Sequence, residues 1–384
     1  MAQWPDQGCV LVMGYRQGLC QALTNLGIPW ALWSEKEPRT SLSAMFIHVD
    51  RFPRSDDRIA SILNGYRDYA PFTHVIAGTE ASVYPAALAR RILNARTSTK
   101  SVALRCHDKL HMKGYLRQHA VPMTDFIAGD DIQDAAEVVE RLGTPVVIKS
   151  RHESGGRGLQ FVESPAEVMH YSGRNRIMER YVAAPEASVE SFINHGEILF
   201  ENITQYYINK HVNIVPGQLA TEQHQALLAM NRQVIRVLKI DWGMTHMEAY
   251  LDDAGLLFGE IALRPPGGYI MELISKAYGF NAWEALVHME LDRPFEFPSS
   301  SSKHTAACIL HPGAGRIRDI KNWDQVSSLP SVYKARLKVK PSEHIAERQG
   351  VGEDAGYLLL SNDRQDRLMK DIDTIDTSLQ FDLA

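Results

Sequence analysis

The stretch that decides the fold is "VVIKSRHESGGRGLQFV", residues 146–162. An apolar run ends at Lys149, a glycine-rich segment follows, and a second apolar run begins. The P-loop pattern GxxxxGK(S/T) is missing, so the segment is predicted to join two strands. Backbone N–H groups at glycines can approach a polyphosphate closely, and a hairpin tip of this kind can close over it. Lys149 would then place a positive charge beside the phosphates, although a plain hairpin with a solvent-directed lysine gives the same pattern.

The sequence around this stretch alternates helices and strands. Asp108 is positioned to cap a helix that runs to about His119, and Gly143 to end the helix before the glycine-rich segment. Ser164, followed by a proline, is positioned to begin the helix after it. The glycine-rich hairpin is therefore predicted to lie within an α+β unit.

A break in the strand pattern follows at "MERYVAAPEASVES", residues 178–191. The chain is predicted to be irregular around Pro185 and to resume as two strands. Such a break can present backbone groups to an adenine edge, with Glu179 and Glu186 as candidates for its amino group and the ribose hydroxyls. The alternative is that both glutamates are solvated surface carboxylates.

The stretch "THMEAYLDDAGLLFGEIALRPPGG", residues 245–268, predicts a hairpin with facing carboxylates. A three-residue loop at 253–255 would bring Glu248 directly opposite Glu260. Carboxylates so placed repel each other, and a bound Mg²⁺ would remove that repulsion. His246 and Arg264 would lie on the same face. A register shifted by one residue would place the two glutamates on opposite faces and abolish the site.

The two ends of the chain have their own patterns. Strands and helices alternate through the first hundred residues, which predicts an open α/β sheet, and the dinucleotide fingerprint GxGxxG is missing there. "SSSSKHT" near residue 300 is typical of a linker. We therefore predict a multidomain α/β and α+β protein. Its parts are an N-terminal α/β domain at 1–103, a central domain at 104–300 with a lid at about 145–182, and a mixed α/β cap at 301–384.

Composition limits the partners. The 384 residues are 45% apolar and 23% charged, with a formal net charge of -5, which fits a globular protein and argues against nucleic-acid binding. Four cysteines without metal-site spacing indicate reduced thiols. A leader peptide and a membrane span are not predicted, so we expect a cytoplasmic protein.

Together with "RCHDKLHMKGYL" at 105–116, these stretches resemble successive motifs of the ATP-grasp superfamily, in its carboxylate–amine ligase branch that includes L-amino acid ligases. The resemblance covers about residues 104–285. It implies a pre-ATP-grasp domain, a core of two α+β subdomains and a small C-terminal cap. It also implies formation of an amide or peptide bond through an acyl phosphate, with release of ADP and phosphate. At least one substrate would be an amino acid.

The resemblance assigns roles by position. The catalytic residues would be Arg264, Lys149 and Glu260. ATP would be bound by Lys109, Lys149, Ser154, Gly155, Gly156, Gly158, Glu179, Arg180, Tyr181, Val182 and Glu186, of which residues 179–182 form the adenine hinge and Glu186 holds the ribose. Glu248 and Glu260 would ligate Mg²⁺. Substrate contacts would come from Arg264, Gly267, Gly268, His246, Tyr206 and His211.

One position departs from the family pattern. The metal strand of the family often reads Glu-x-Asn-x-Arg, whereas this chain has Ala262 between Glu260 and Arg264. Ala262 cannot ligate a metal. Either a second Mg²⁺ depends on the two glutamates and the phosphates, which we favour, or only one ion is held firmly. Mn²⁺ could replace Mg²⁺ in either case.

The expected partners are a small-molecule carboxylate and an amine, and such enzymes are often homodimers. "QYYINKHVNIVPGQL" at 205–219 is a candidate substrate wall, with Tyr206, Tyr207, Lys210 and His211 as possible contacts. A surface loop with incidental aromatic residues explains that segment as well.

Three other functions are alternatives to amide formation. The same fold could serve a thiol or a bicarbonate acceptor, as in biotin carboxylase-like enzymes. A catalytically silent ATP-binding regulatory protein would explain Ala262, but it would not need Lys109, Lys149, Glu248, Glu260 and Arg264 together. An NAD-dependent dehydrogenase would require the missing glycine fingerprint.

Overall fold

The computed structural model describes residues 8–35, 37–38, 45–66, 71–96, 99–173, 175–208, 211–348, 350 and 352–384. The predicted α/β and α+β architecture is confirmed, because a parallel sheet at the N-terminus is followed by antiparallel sheets. Within the described residues, no helix is long and apolar enough to cross a membrane.

The N-terminal sheet has four parallel strands in the order β3-β2-β1-β4. Its central strands are buried along their whole length, which explains why they read as continuous apolar runs such as "CVLVM". The elements are β1 (Cys9–Met13), α1 (Gln17–Asn25), β2 (Trp30–Ser34), β3 (Met45–His48), α2 (Asp56–Gly65), β4 (Phe72–Ala77) and α3 (Glu80–Ile92).

The segment predicted as a lid belongs to a four-stranded antiparallel sheet in the order β5-β8-β6-β7, whose first strand lies before the predicted start at about residue 145. Val146 pairs with Val162, so the glycine-rich segment does join two strands, as predicted. Two helices pack together on this sheet around a small apolar core. The elements from the domain junction through the lid are α4 (Lys100–Arg105), α5 (Lys109–Arg117), β5 (Phe126–Ala128), α6 (Ala135–Leu142), β6 (Val146–Ser150), β7 (Gln160–Val162), α7 (Pro165–His170) and β8 (Arg176–Arg180).

The three predicted helix signals in this region are confirmed. The Asp108 side chain accepts hydrogen bonds from the backbone N–H groups of Leu110 and His111 at the start of α5. Ser164 forms a capping box with Glu167 at α7, and Gly143 ends α6 with a positive φ of 75°. The start of α5 is thereby fixed at Lys109.

The central sheet has eight strands in the order β13-β12-β9-β10-β11-β14-β18-β16. Its elements up to α10 are β9 (Glu186–Asn194), β10 (Glu197–Tyr207), β11 (Val212–Val215), α8 (Thr221–Leu238), β12 (Gly243–Asp252), β13 (Gly255–Ala262), α9 (Ile270–Tyr278) and α10 (Ala282–Glu290). Buried side chains from β9, β12, β13 and α8 form one core with the N-terminal sheet and its helices. The N-terminal domain is therefore packed firmly against the strands that carry the site.

The C-terminal residues extend the central sheet across the boundary predicted at residue 300. Val212 to Val215 of β11 pair with Cys308 to Thr305 of β14, so β14, β18 and β16 complete that sheet. A separate three-stranded sheet has the order β17-β15-β19. The elements are β14 (His304–Leu310), β15 (Gly315–Lys321), α11 (Trp323–Ser327), β16 (Val332–Leu337), β17 (His344–Ile345), β18 (Gly356–Asn362), α12 (Gln365–Ser378) and β19 (Gln380–Leu383).

Candidate active site

The two glutamates face each other as predicted, but the turn and the strand between them differ from the prediction. Glu248 pairs directly with Glu260 across β12 and β13. The turn is one residue shorter than predicted, since Asp252 pairs with Gly255. A bulge beside Glu248, where Gly259 is the extra residue, restores the register. The expected three-residue loop was therefore wrong, although the pairing that depends on it is correct.

Lys109 joins this carboxylate pair to the glycine-rich loop. Its Nζ lies 3.0 Å from Glu260 Oε2 and donates to the Glu153 carbonyl at 2.6 Å. The three glycines that follow all have positive φ, namely 67° at Gly155, 81° at Gly156 and 66° at Gly158. Ordinary side chains are strained there, so the sequence needs glycine to form the loop. The loop that begins at Ser154 thus starts beside the metal-strand carboxylate.

Glu179 has a different position from the one predicted for an adenine contact. Its side chain is 2% exposed, and its Oε2 lies 2.9 Å from Lys113 Nζ and 3.0 Å from Lys149 Nζ. Burial favours the neutral acid, yet the two lysines hold the pKa of Glu179 at about 2. The carboxylate is therefore paired with two lysines, and its predicted contact with the adenine amino group stays a prediction.

Lys113 was missed by the sequence analysis. It lies one helical turn after Lys109 on α5, so both side chains project from one face. Burial and the charge of Lys149 lower the pKa of Lys113 to about 8, against the opposing effect of Glu179. The i, i+4 spacing of two lysines on a capped helix was the signal available in the sequence.

The rest of the hinge follows the predicted irregular path. Strand β8 ends at Arg180, and β9 begins at Glu186, which pairs with Tyr250 of β12. Tyr181 is 44% exposed and makes an edge contact with Phe161 of the lid. Val182 is half-buried. The backbone of residues 180–182 and the ribose contact of Glu186 stay predictions.

His246 and Tyr206 both contact Glu248, which faces Glu260 across the hairpin. The Glu248 Oε1 lies 3.2 Å from the Tyr206 hydroxyl, which donates to it, and 3.3 Å from His246 Nε2. The other ring nitrogen of His246 lies 2.9 Å from Glu190 Oε1. Burial opposes protonation, but Glu190 and Glu248 raise the pKa of His246 to about 9. Both ring nitrogens of His246 therefore contact protein carboxylates.

Glu190 was missed by the sequence analysis because all of its partners except Ser188 lie on other strands. Besides His246, its buried carboxylate accepts hydrogen bonds from Ser188 at 2.6 Å, Asn202 at 2.8 Å and Thr204 at 2.6 Å. Fully satisfied polar groups of this kind rigidify their surroundings. This network fixes the sheet face on which Glu248 lies.

Arg264 meets the N-terminal domain. Its Nε donates at 2.9 Å to Oε2 of Glu80, the first residue of α3, and its Nη1 donates to the Pro265 carbonyl at 2.9 Å. Burial would raise the pKa of Glu80, but His107 and Arg264 hold it at about 2. Beside them, the Gly268 carbonyl accepts from Asn213 at 2.7 Å, in the loop from Gly267 to α9. Because Glu80 comes from another domain, local patterns could not have shown it.

His211 lies apart from these residues. Its ring contacts that of His311, with centroids 5.0 Å apart. Both rings line a cavity of about 290 Å³ together with Ile375 and other residues of the C-terminal region. The predicted substrate contact of His211 stays a prediction, and Lys210 lies outside the described residues. Tyr207, on β10, packs against the C-terminal core instead.

Comparison with known proteins identifies the central region. A family model described as "ATP-grasp domain" matches residues 114–271. The chain carries an ATP-grasp domain. The predicted membership of the ATP-grasp superfamily is thereby confirmed, and with it the class of ATP-dependent ligases. The motif order, the glycine-rich hairpin and the opposed glutamates all lie in or beside the matched region.

Individual relatives agree with this family. The chain is 24% identical over 320 residues to the L-arginine-specific L-amino acid ligase of Bacillus subtilis, covering 77% of each protein. The crystal structure of the L-amino acid ligase from Bacillus licheniformis superposes with a TM-score of 0.81 at 16% identity, covering 99% of this chain and all of the other. N5-carboxyaminoimidazole ribonucleotide synthetase from Thermotoga maritima has the same fold, with a TM-score of 0.73 at 16% identity over 98% of this chain.

The carboxylate oxygens of the site suit a metal ion that also binds the phosphates of a nucleotide. The described residues contain no cluster of three or more His, Cys, Asp and Glu side chains that could hold an ion alone. Two carboxylates are present, and Mg²⁺ is commonly bound by one or two carboxylates together with substrate phosphates. Ala262 is buried opposite His246 and offers no donor. Glu248 and Glu260 would therefore hold the ion jointly with phosphate oxygens.

Proposed function

We propose that this protein joins a carboxylate to an amine at the expense of ATP, through an acyl phosphate, and that at least one substrate is an amino acid. The observation that carries the proposal is the link from Glu260 through Lys109 to the glycine-rich loop. It brings a metal ligand, a phosphate-binding lysine and a closing loop together. These are the parts that phosphoryl transfer needs.

The chemistry follows from the poor leaving group of a carboxylate. Transfer of the γ-phosphoryl group of ATP to a carboxylate oxygen breaks the bond to ADP and forms a mixed anhydride. Attack of the amine on the carbonyl carbon then expels phosphate and forms the amide. Bound Mg²⁺ would neutralise charge on the phosphates, held by Glu248 and Glu260.

The residues of the chain would supply position and charge. Lys109 and Lys149 bind the phosphates, and the loop from Ser154 to Gly158 excludes water that would hydrolyse the anhydride. Arg264 stabilises the charge that develops on the transferred group. The sequence offers no recognisable Ser/His/Asp or Cys/His arrangement, and this route needs no enzyme nucleophile.

An amino acid as substrate is supported by the charges beside Arg264. Glu80 and Arg264 together present a carboxylate and a guanidinium within 2.9 Å of each other. A zwitterion can pair with both. The Bacillus subtilis relative, whose name is an L-amino acid ligase specific for L-arginine, agrees with this substrate class.

The test is release of ADP and phosphate from Mg²⁺-ATP in a matrix of amino acids and small carboxylates paired with amines, with mass spectrometry of every active pair. We expect a pair that stimulates ADP release and yields a condensed product with loss of one water. A thiol or bicarbonate as the required acceptor would contradict amide formation. ATP binding without turnover for any pair would favour a regulatory protein.

A further inference from the structure

His107 is a buried histidine beside the Glu80–Arg264 pair, and the mechanism above gives it no role. It lies between α4 and α5, directly before the cap residue Asp108, and its side chain is 2% exposed. Its Nδ1 lies 2.8 Å from Glu80 Oε1, while Arg264 Nε donates to the other oxygen, Oε2, at 2.9 Å. Each oxygen of the Glu80 carboxylate is therefore held by one of these two side chains.

The neighbours of His107 indicate which ring nitrogen carries the proton. Arg54 Nη2 lies 3.4 Å from His107 Nε2. A guanidinium can only donate a hydrogen bond, so Nε2 accepts from Arg54 and the ring proton is on Nδ1. The Nδ1–H group then donates to Glu80. Both nitrogens of the ring have partners, and the ring has one defined orientation.

Arg264 is oriented by Glu80 through its Nε. A second contact, from its Nη1 to the Pro265 carbonyl at 2.9 Å, fixes the plane of the guanidinium. These contacts use two of the five N–H groups of an arginine, so others can serve the transferred phosphoryl group. A displaced catalytic group lowers the rate of reaction strongly, even when the displacement is small. The orientation of Arg264 therefore depends on the side chain that holds Glu80.

His107 also contacts the segment that leads into the glycine-rich loop. The centres of the His107 and His152 rings are 5.3 Å apart. His152 Nε2 lies 3.1 Å from Asp108 Oδ2, and Arg151 Nε donates to Asp108 Oδ1 at 3.0 Å. Residues 107 and 108 thus contact both the start of the closing loop and the carboxylate that orients Arg264.

We propose that His107 is a positioning residue, which donates from Nδ1 to Glu80 and so holds Arg264 in the orientation that stabilises the transferred phosphoryl group. This inference rests on the proposed ligase function and adds to it a residue that acts through Glu80 rather than on the substrate. Loss of the Nδ1 donor should slow ligation. Binding of ATP, which would depend on Lys109 and Lys149, should change little.

The test compares His107→Leu, His107→Asn and His107→Gln with wild type, on an active substrate pair. The Asn amide nitrogen lies as many bonds from Cβ as Nδ1 does, so His107→Asn can keep the hydrogen bond to Glu80. The Gln amide nitrogen corresponds to Nε2 instead. The matched control is His111→Leu, at an exposed position of α5.

The expected result is a split between the two amides. His107→Leu and His107→Gln should lower kcat/KM for the amino acid about 10- to 100-fold, whereas His107→Asn should stay within about 3-fold of wild type. The KM for ATP should change less than about 3-fold in every variant. His111→Leu should behave like wild type.

The outcomes separate this inference from the proposed function. Ordinary activity of His107→Leu, or equal losses in His107→Asn and His107→Gln, would overturn the inference and leave the ligase function intact. A rise in the KM for ATP that matches the loss of activity would overturn it and assign His107 to nucleotide binding. Absence of ligation by wild type with every pair would overturn the function and the inference together. Thermal melting identifies a folding defect in His107→Leu, and the comparison of the two amides then decides.

Discussion

Two sets of carboxylates close to Lys109, Lys113 and Lys149 have different charged neighbours and different exposure. Glu179 has a side chain that is 2% exposed, and it meets two lysines within 3.0 Å. Glu248 and Glu260 face each other with side chains 28% and 23% exposed, and Glu260 has Lys109 at 3.0 Å. The protein thus neutralises the buried carboxylate itself. The open pair is only partly neutralised, with Lys109 beside Glu260 and His246 beside Glu248, and under the proposed function it would hold Mg²⁺ together with phosphate oxygens.

The largest effect is expected when the open pair is broken. Glu260→Gln should lower ATP turnover by about 1,000-fold or more, because the metal and Lys109 lose a charged partner. The melting temperature should change little, since the side chain is partly exposed. The control is Glu197→Gln, at an exposed position of β10 in the same sheet. A folded Glu260→Gln variant with ordinary turnover would contradict the metal assignment.

Replacing the buried carboxylate of Glu179 should instead change the free energy of unfolding. Glu179→Gln should lower the free energy of unfolding at pH 7 by about 3 kcal/mol, because two buried lysines lose their counter-charge. The folded-state pKa of about 2 lies below the ordinary value of 4.5, so this contribution is complete above about pH 4.5 and is lost as the pH falls toward 2.

Urea unfolding at pH 7 and pH 3 checks both statements. At pH 3 the difference between wild type and Glu179→Gln should shrink to about half its value at pH 7. An equal difference at both values would show that Glu179 is not ionised against its lysines in the folded state.

A smaller effect is expected from Ala262→Asn, which adds an oxygen donor beside the open pair. The Mg²⁺ concentration for half-maximal ATP turnover should fall about 2- to 5-fold if that position faces the ion. Ala262→Val, which fills similar space without a donor, is the control. An unchanged Mg²⁺ requirement would indicate that the two glutamates and the phosphates already complete the site.

The smallest effect is expected from an exposed carboxylate with two cationic partners. Asp125 lies 2.8 Å from both Arg117 and Arg141, with its side chain 32% exposed. Solvent screens such pairs, so Asp125→Asn should change the free energy of unfolding by about 1 kcal/mol or less. A loss as large as that of Glu179→Gln in the same urea experiment would remove the distinction between buried and exposed charge.

The sequence predicted what depends on local order along the chain. The strand–loop–strand at the glycines, the cap at Asp108 and the pairing of Glu248 with Glu260 all follow from neighbouring residues. The predicted turn was one residue too long. The bulge at Gly259 offsets the shorter turn, so Glu248 still pairs with Glu260. Such compensation leaves no sign in the alternation of apolar and polar residues.

The sequence could not predict contacts between residues that are distant along the chain. Glu80, at the start of α3, meets Arg264 only after the domains pack. Glu179 was assigned to the nucleotide because its strand leads into the hinge, but strand alternation turns its side chain inward to Lys113. His211 follows Tyr206 closely in sequence, yet its ring lies by a cavity of the C-terminal region while the Tyr206 hydroxyl contacts Glu248.

The most direct test of the central claim is an isotope transfer. The carboxylate substrate of an active pair is labelled with ¹⁸O in both oxygens, and the phosphate released during ligation is analysed by mass spectrometry. We predict that each phosphate carries one labelled oxygen, because the carboxylate oxygen that attacks the γ-phosphoryl group leaves with it. Phosphate without the label, formed alongside the amide, would contradict an acyl phosphate and with it the proposed mechanism.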